Sequence, residues 1–298
     1  MRILNKHFNT EPFAFHAHGR PAITGWMTNT TPEGIYNGFD LQAAVLKEQS
    51  NETSGTFRGR KEARGVPEYP APVPREVMDN PLNEKLHLFT INNQPERGVA
   101  VRQMEHFGMD VTILGTDIVR YDHHVKIPIL IKHIESIDKP YTMFMDADDI
   151  FFTTDPTNLV NTFESNLDCS MLCNADGWLF PKMGLDDPMR HFQMDIAKKT
   201  HEGSPYTFLN SGLWIADTNF LKSSFLPRLI ALREAWDNDL PGKPYSDVDQ
   251  ALFHYIYQEN YPRMKIDITQ MYFQSYSWSA WLTEHYPNAN KLEVILET

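Results

Sequence analysis

Between residues 141 and 152 the chain reads Tyr-Thr-Met-Phe-Met-Asp-Ala-Asp-Asp-Ile-Phe-Phe, and no other stretch limits its fold so tightly. The apolar, β-prone run Tyr141–Met145 breaks off into Asp146, Asp148 and Asp149, then resumes at Ile150-Phe151-Phe152. Runs of this kind, bounded by an abrupt change of polarity, form buried strands. Carboxylates at the end of such a strand lie where open α/β sheets hold their ligands. Crowded carboxylates repel one another unless a cation or a proton intervenes. Their hard oxygens suit Mg²⁺ or Mn²⁺, ions often shared with substrate phosphates. The chemistry suggested is group transfer from a metal-held diphosphate; a solvated acidic turn or a helix cap is the structural alternative.

A chain of 298 residues can bury a sizeable core, and 41% hydrophobic with 22% charged residues is ordinary for a soluble globular protein. The net charge of −12 argues against general affinity for a phosphate backbone. One local basic run, Arg58, Arg60, Lys61 and Arg64, reads either as a solvated loop or as a contact for an anionic substrate. No apolar run is long enough to span a membrane, and the first residues lack the apolar core of a signal peptide, so no membrane partner and a cytoplasmic location are expected. Cys169 and Cys173 fall on one expected strand, about 13 Å apart by rise, too far for a disulfide. A reducing compartment fits.

From Leu86 onward, strand and helix signals alternate. Strands are expected at Leu86–Ile91, Val111–Leu114, Tyr141–Met145 and Ser170–Cys173, and helices at Pro95–Phe107, at Val125–Ile137 and from Asp155-Pro156. This order predicts a parallel, doubly wound sheet. A strand then runs to Ala216 out of the turn Asn210-Ser211-Gly212, whose glycine permits close approach. A helix is expected over Phe225–Trp236. Ser246 opens another, with Asp249 as the third residue of a near capping box. Strands at Met264–Ile268, Tyr272–Gln274 and Leu292–Leu296 close the chain. Residues 1–28 hold a strand signal around Phe13-Ala-Phe15, with His16 and His18 on one face, as metal ligands or as half-buried strand residues. Residues 29–85 read as a loop-rich insertion or connector, with a short helical candidate at Gln42–Lys47 and an extended Pro67–Pro74.

In sequence order, Phe144-Met-Asp-Ala-Asp-Asp-Ile-Phe-Phe152, Phe208-Leu-Asn-Ser-Gly212 and Asp249-Gln-Ala-Leu-Phe253 resemble the glycosyltransferase domain of the procollagen lysyl hydroxylases and its viral and bacterial relatives. The resemblance spans residues 86–298. It implies a GT-A fold, a single Rossmann-like α/β domain with a mixed, mostly parallel sheet flanked by helices. It implies transfer of a sugar, glucose favoured, from a UDP-sugar to a hydroxyl acceptor, with Mn²⁺ (or Mg²⁺) and retention of configuration. Asp146 and Asp149 match metal ligands, and Lys126 a donor-phosphate contact. Asp176 and Phe180 match residues beside the sugar, and Asn210, Ser211 and Gly212 the Asn-Ser-Gly turn. Asp249 and Gln250 match the pair lining the donor-sugar pocket. Asp148 departs from the pattern, standing where the family has an aromatic at the nucleobase. Asp249, Asp176, Asn210 and Asp247 are the candidates for catalytic roles, with Asp247 and Asp249 preferred if a base is needed.

The family's third metal ligand is a histidine in a turn near the domain's C-terminal end. Nothing like it follows Phe273-Gln274, but a relaxed form stands at the other end as His16-Ala-His-Gly-Arg-Pro21. The chain therefore resembles a circular permutant, and a plain N-terminal addition is the competing account. Under the permutation His16 is the ligand, His18, Gly19 and Arg20 lie near the diphosphate, and Leu292–Leu296 lies near the start. Neighbouring termini make such rewiring feasible. The acceptor is a glycan, a hydroxylysine-type glycoside or a hydroxymethylated DNA base or its glucosyl group, as for phage or viral DNA glycosyltransferases. A metal-dependent phosphohydrolase and a binding module without turnover are the readings from other classes.

Overall fold

The computed structural model describes residues 2–5, 8–16, 80–93, 98–119, 123–147, 150–152, 156–166, 168–181, 187–201, 203–237, 248–275 and 292–295. Its strands are β1 (Arg2–Asn5), β2 (Ala14–His16), β3 (Leu86–Ile91), β4 (Val111–Leu114), β5 (Tyr141–Met145), β6 (Ile150–Phe152), β7 (Met171–Asp176), β8 (Phe208–Asp217), β9 (Met264–Ile266), β10 (Phe273–Ser275) and β11 (Leu292–Ile295). The helices are α1 (Val99–His106), α2 (His123–Ser136), α3 (Thr157–Asn166), α4 (Pro188–Thr200), α5 (Leu226–Asp237) and α6 (Asp249–Asn260).

Six strands form one sheet in the order β4-β3-β5-β8-β7-β9. β4, β3 and β5 run parallel, as do β7 and β9, while β8 runs antiparallel to both of its neighbours. The sheet is thus mixed and mostly parallel, not the wholly parallel one that element alternation predicts. The segment between β7 and β8 is the reason. Thr207 N donates to Asp176 O at 3.0 Å, so the chain re-enters at the carboxyl end of β7 and must run back.

Side chains alternate across this sheet. On one face Phe89, Phe144 and Trp214 pack beneath α2, α5 and α6, with Phe144 and Trp214 stacked at 5.8 Å. On the other, Leu88, Met143, Met145, Leu213 and Ile215 meet α1, α3 and a second sheet ordered β10-β2-β6. Each of these large side chains contributes about 1.5–3 kcal/mol by leaving water.

In the second sheet β2 is central, parallel to β10 and antiparallel to β6. The turn into β10 is held by Asp267, whose buried carboxylate accepts the backbone N–H groups of Met271, Tyr272 and Phe273 at 3.0, 2.7 and 2.8 Å. β1 pairs antiparallel with β11, Arg2 opposite Ile295, which puts the expected last strand beside the first.

Two helix starts differ from expectation. The helix expected from Phe225 begins earlier, at Thr218, where the Asp217 carboxylate accepts from Phe220 N at 2.9 Å. It continues through a π-helical turn over Leu221–Phe225 into α5. Leu226 alone separates that turn from Pro227, which has no N–H to offer a regular α-helix. α6 begins at Asp249 behind Val248, so Asp249 is the first helical residue and not the third of a capping box. Ser246, Asp155, the Gln42–Lys47 and Pro67–Pro74 segments and the basic run at Arg58, Arg60, Lys61 and Arg64 lie outside the described residues. Both cysteines are free thiols. Among the described residues no helix is long and apolar enough to cross a membrane.

At the far end of β3, away from Asp146, His87 and His133 of α2 meet with Nε2 atoms 2.7 Å apart. Burial, with the His133 charge as the next cause, lowers the His87 pKa from 6.5 to about 4, and burial lowers that of His133. Between those values the unfolded chain binds more protons than the folded one, so stability falls as pH falls. The urea midpoint should therefore drop from neutral pH toward pH 4, and His87→Gln should flatten part of that decline. An identical slope in the variant would show that this pair does not govern acid sensitivity.

Candidate functional site

Because β8 is antiparallel, its amino end lies with the carboxyl ends of β5 and β7, and the candidate residues gather there. A bulge sharpens the convergence. Cys173 pairs with Trp214, yet the next residue, Asn174, pairs with Asn210, so residues 211–213 swell out of the ladder. Asn210 stabilises the bulge by accepting from Gly212 N through Oδ1 at 2.8 Å. Gly212 O in turn accepts from Asp146 N at 2.8 Å, tying the first acidic residue to the bulge.

At Gly212 a side chain is excluded. A Cβ there would sit 2.5 Å from Asp146 Oδ2 and 2.5 Å from His16 Cε1. A second close approach lies on the other side of the acidic turn. Gly98, at the amino end of α1, would place a Cβ 2.2 Å from Ala147 O, the acceptor for Ala100 N at 3.2 Å.

Lys126 reaches in from α2. Its Nζ lies 2.9 Å from Asp146 Oδ1 and 3.5 Å from Asp249 Oδ2, and the residue is only 5% exposed. The ammonium also stands 5.0 Å from the centre of the Phe144 ring. Asp249 Oδ2 accepts from Ser211 Oγ at 3.0 Å. Gln250 braces β8 and the segment after β7: Oε1 accepts from Ser211 N at 3.2 Å, while Nε2 donates to Phe180 O at 2.8 Å and Leu209 O at 3.0 Å. Asp176 Oδ1 accepts from Trp178 N at 3.0 Å, and beyond this turn Trp178 and Phe180 stand partly exposed.

His16, at the end of β2, is buried, with Nε2 3.9 Å from Asp146 Oδ2. That separation is too long for a hydrogen bond. It is within reach of one ion held about 2.0–2.2 Å from each atom. It is wider than the roughly 3 Å between neighbouring ligands of an octahedral ion, so the two atoms would have to close on a metal. Lys126 occupies the other carboxylate oxygen, leaving Oδ2 turned to His16. Two carboxylates and one ammonium leave this cluster one charge negative, so a divalent cation and a diphosphate would complement each other in it. His16 Nε2 and Asp146 Oδ2 are donor atoms of the kinds a divalent cation takes. Among the described residues no group of three His, Cys, Asp or Glu side chains is disposed to hold one. Asp148, Asp149, Asp247, His18, Gly19 and Arg20 lie outside the described residues.

Sequence reasoning passed over a second brace. His254 Nε2 donates to Phe180 O at 3.0 Å, and Nδ1 accepts from Gln193 Nε2 at 2.9 Å. Gln193 Oε1 accepts from Leu209 N at 2.8 Å. Burial lowers the His254 pKa to about 4, so the ring is neutral at pH 7 with its tautomer set by these partners. The available signal was spacing: His254 lies one helical turn beyond Gln250, on the same side of α6.

Since the Gly212 approach leaves no room for a methyl group, Gly212→Ala should cost about 1–3 kcal/mol through overpacking and drive His16 and Asp146 apart. A denaturant midpoint equal to that of the parent protein would remove the close approach as a constraint.

No family model matches the sequence, and no curated protein matches it. Among solved structures, the chain is similar to a glycosyltransferase involved in the glycosylation of the major capsid of PBCV-1, with 10% identity, 61% of this chain and 81% of that one covered, and a TM-score of 0.35. It is similar to the glycosyltransferase GlyE of Streptococcus pneumoniae TIGR4, with 13% identity, 62% and 38% covered, and a TM-score of 0.31. Mouse xyloside xylosyltransferase 1 in its apo form gives 10% identity, 67% and 77% covered, and a TM-score of 0.35. Likenesses of this degree assign no residue and no substrate.

Proposed function

We propose that this chain is a metal-dependent glycosyltransferase of GT-A type, moving a sugar, glucose favoured, from a UDP-sugar to a hydroxyl with retention. The observation that carries the reading is the meeting of Asp146, Asp249, Lys126 and His16 near Gly212, at the carboxyl end of β5 in the middle of the sheet. Asp146 and His16, with Asp149, would hold Mn²⁺ or Mg²⁺. When bound, the ion supplies Lewis-acid stabilisation of the leaving diphosphate. Lys126 gives a phosphate oxygen a charge-assisted hydrogen bond from a site where water is scarce. On the permuted reading of the sequence, Arg20 and His18 would add donors at the same group. Asp249 and Asp176 orient sugar hydroxyls, and Asp249 is held for that task by Ser211. Asp247 and Asp249 are the candidate bases. The Gln250–His254–Gln193 brace fixes Leu209 and Phe180, the floor and rim of the sugar pocket.

The acceptor is proposed to be a carbohydrate or a hydroxylysine-type glycoside. Trp178 and Phe180 offer flat, exposed aromatic faces at the mouth, suited to the apolar face of a sugar ring. A net charge of −12 disfavours duplex DNA as the acceptor.

A ligand that binds only the folded state raises its melting temperature, by about 2.7 kcal/mol of added stability at a hundredfold excess over Kd. UDP-glucose with Mn²⁺ should give a rise of several degrees, and His16→Ala and Asp146→Asn should each lose the Mn²⁺-dependent part. No response to any nucleotide-sugar would overturn the proposal. Phosphate release without sugar transfer would replace it with the phosphohydrolase reading.

A further inference from the structure

Below the acidic turn runs a chain of hydrogen bonds that the transfer reaction does not itself use. Asn174 on β7 and Ser275 on β10 are fully buried beside His16. The Asn174 amide nitrogen is placed 3.2 Å from His16 Nδ1, and its oxygen accepts from Ser275 Oγ at 3.0 Å. Ser275 Oγ also donates to the carbonyl of Ala175. Both partners as placed are carbonyl oxygens, which only accept, and Ser275 has one hydroxyl hydrogen. Only the Asn174 amide can turn, so the assignment that satisfies both contacts gives that hydrogen to Ala175 O, which also accepts from Gln270 Nε2 at 3.3 Å. What Ser275 can offer Asn174 is a lone pair, and Asn174 must answer it with an N–H.

The two ends of an amide share one shape and are told apart by their hydrogen bonds. Turned end for end, Asn174 donates from Nδ2 to Ser275 Oγ and presents Oδ1 to His16. His16 Nδ1 then carries the ring proton and donates it to that oxygen. In the neutral ring Nε2, the nitrogen 3.9 Å from Asp146 Oδ2, then keeps its lone pair. In the opposite tautomer Nε2–H would point at Asp146 and could not coordinate a cation.

We infer that Asn174 and Ser275 are positioning residues, which hold neutral His16 as its Nδ1–H tautomer and so make Nε2 a ligand for a divalent cation. The inference rests on the metal-site reading for its purpose, though not for its chemistry. Metal-bound histidines commonly anchor their second nitrogen on an oxygen acceptor, and losing that anchor weakens binding by roughly 10–100-fold. Here the acceptor is an amide carbonyl, oriented by a serine that is itself oriented by the main chain of β7.

The test is the protonation pattern of the His16 ring in the metal-free protein, read from its ¹⁵N resonances with His16→Gln providing the assignment. The expected result is a protonated Nδ1 and an Nε2 with lone-pair character. A protonated Nε2 in the wild-type chain at neutral pH overturns the inference, whatever Mn²⁺ does. Ser275→Ala removes the group that orients the amide. It should mix the two tautomers and weaken Mn²⁺ binding about tenfold by calorimetry, whereas Ser275→Thr, which keeps the hydroxyl, should restore both. If Ser275→Ala leaves the ring pattern unchanged, the serine has no orienting role and the inference fails. A protonated Nδ1 in a chain that binds no Mn²⁺ supports the tautomer and refutes the metal-site reading, so the two can fail separately.

Discussion

A buried ammonium shared by two carboxylates holds the site together. Lys126 reaches Asp146 at 2.9 Å and Asp249 at 3.5 Å, and it joins three elements that nothing in sequence brings together: α2, the turn after β5 and the start of α6. Burying a charge of this kind costs more than it returns unless partners surround it, and removing one partner from such a group typically costs about 3–5 kcal/mol. An apolar side chain in place of Lys126 would leave Asp146 and Asp249 with no shared cation. Clusters of this type are poor devices for stability and good devices for chemistry. Ser211 and Gln250 add hydrogen bonds on the Asp249 side, so the carboxylate is fixed in direction as well as in charge.

Much of this was legible in the sequence, and the reason is polarity. Asp146 and Asn210-Ser211-Gly212 stand out because each breaks an apolar run, where a polar group has no packing reason to be, although the expected turn is a bulge within β8. Gly212 announced a close approach, and the space around it would not admit a methyl group. Asp249 was ambiguous for a physical reason: a helix start welcomes an acidic residue whether or not anything else needs it. The charge of Lys126 and the hydroxyl of Ser211 decide its direction, and both come from distant segments. The sense of β8 was hidden because strand patterns carry no direction; it follows from where the chain re-enters, beside Asp176 O. His254 and Gln193 escaped notice because each is a polar residue on a helix, which is the commonest thing in any sequence.

The N-terminal strand needed the tertiary structure most. A three-residue strand is too short for a pattern to settle which way His16 points, and its partners lie far along the sequence, at residues 150–152 and 273–275. β2 is clamped between β6, which follows the acidic turn, and β10, close to the end of the described chain. The clamp depends on Asp267, which takes up three backbone N–H groups and so sets the turn that presents β10. The pairing of β1 with β11 shows that the first and last described strands are neighbours. That is the geometry a permuted connection would need, and also one that an added N-terminal arm could adopt.

The site divides into a wired floor and an open mouth. On the floor Asn174, Ser275, Gln250, Gln193 and His254 are buried and bonded to main-chain groups or to one another, so the charged residues above them have little freedom to reorient. At the mouth Trp178 and Phe180 are partly exposed and face solvent. Fixed dipoles stabilise developing charge best when they need not move during reaction, which favours a rigid floor under a leaving group. An acceptor that varies in shape is met better by flat apolar surfaces than by a lattice of directional bonds. Because the Gln250–His254 pair hangs the Phe180 carbonyl from the floor, the mouth keeps its place without becoming polar. In the proposed transfer reaction the same few hydrogen bonds would give strict recognition below and tolerance above.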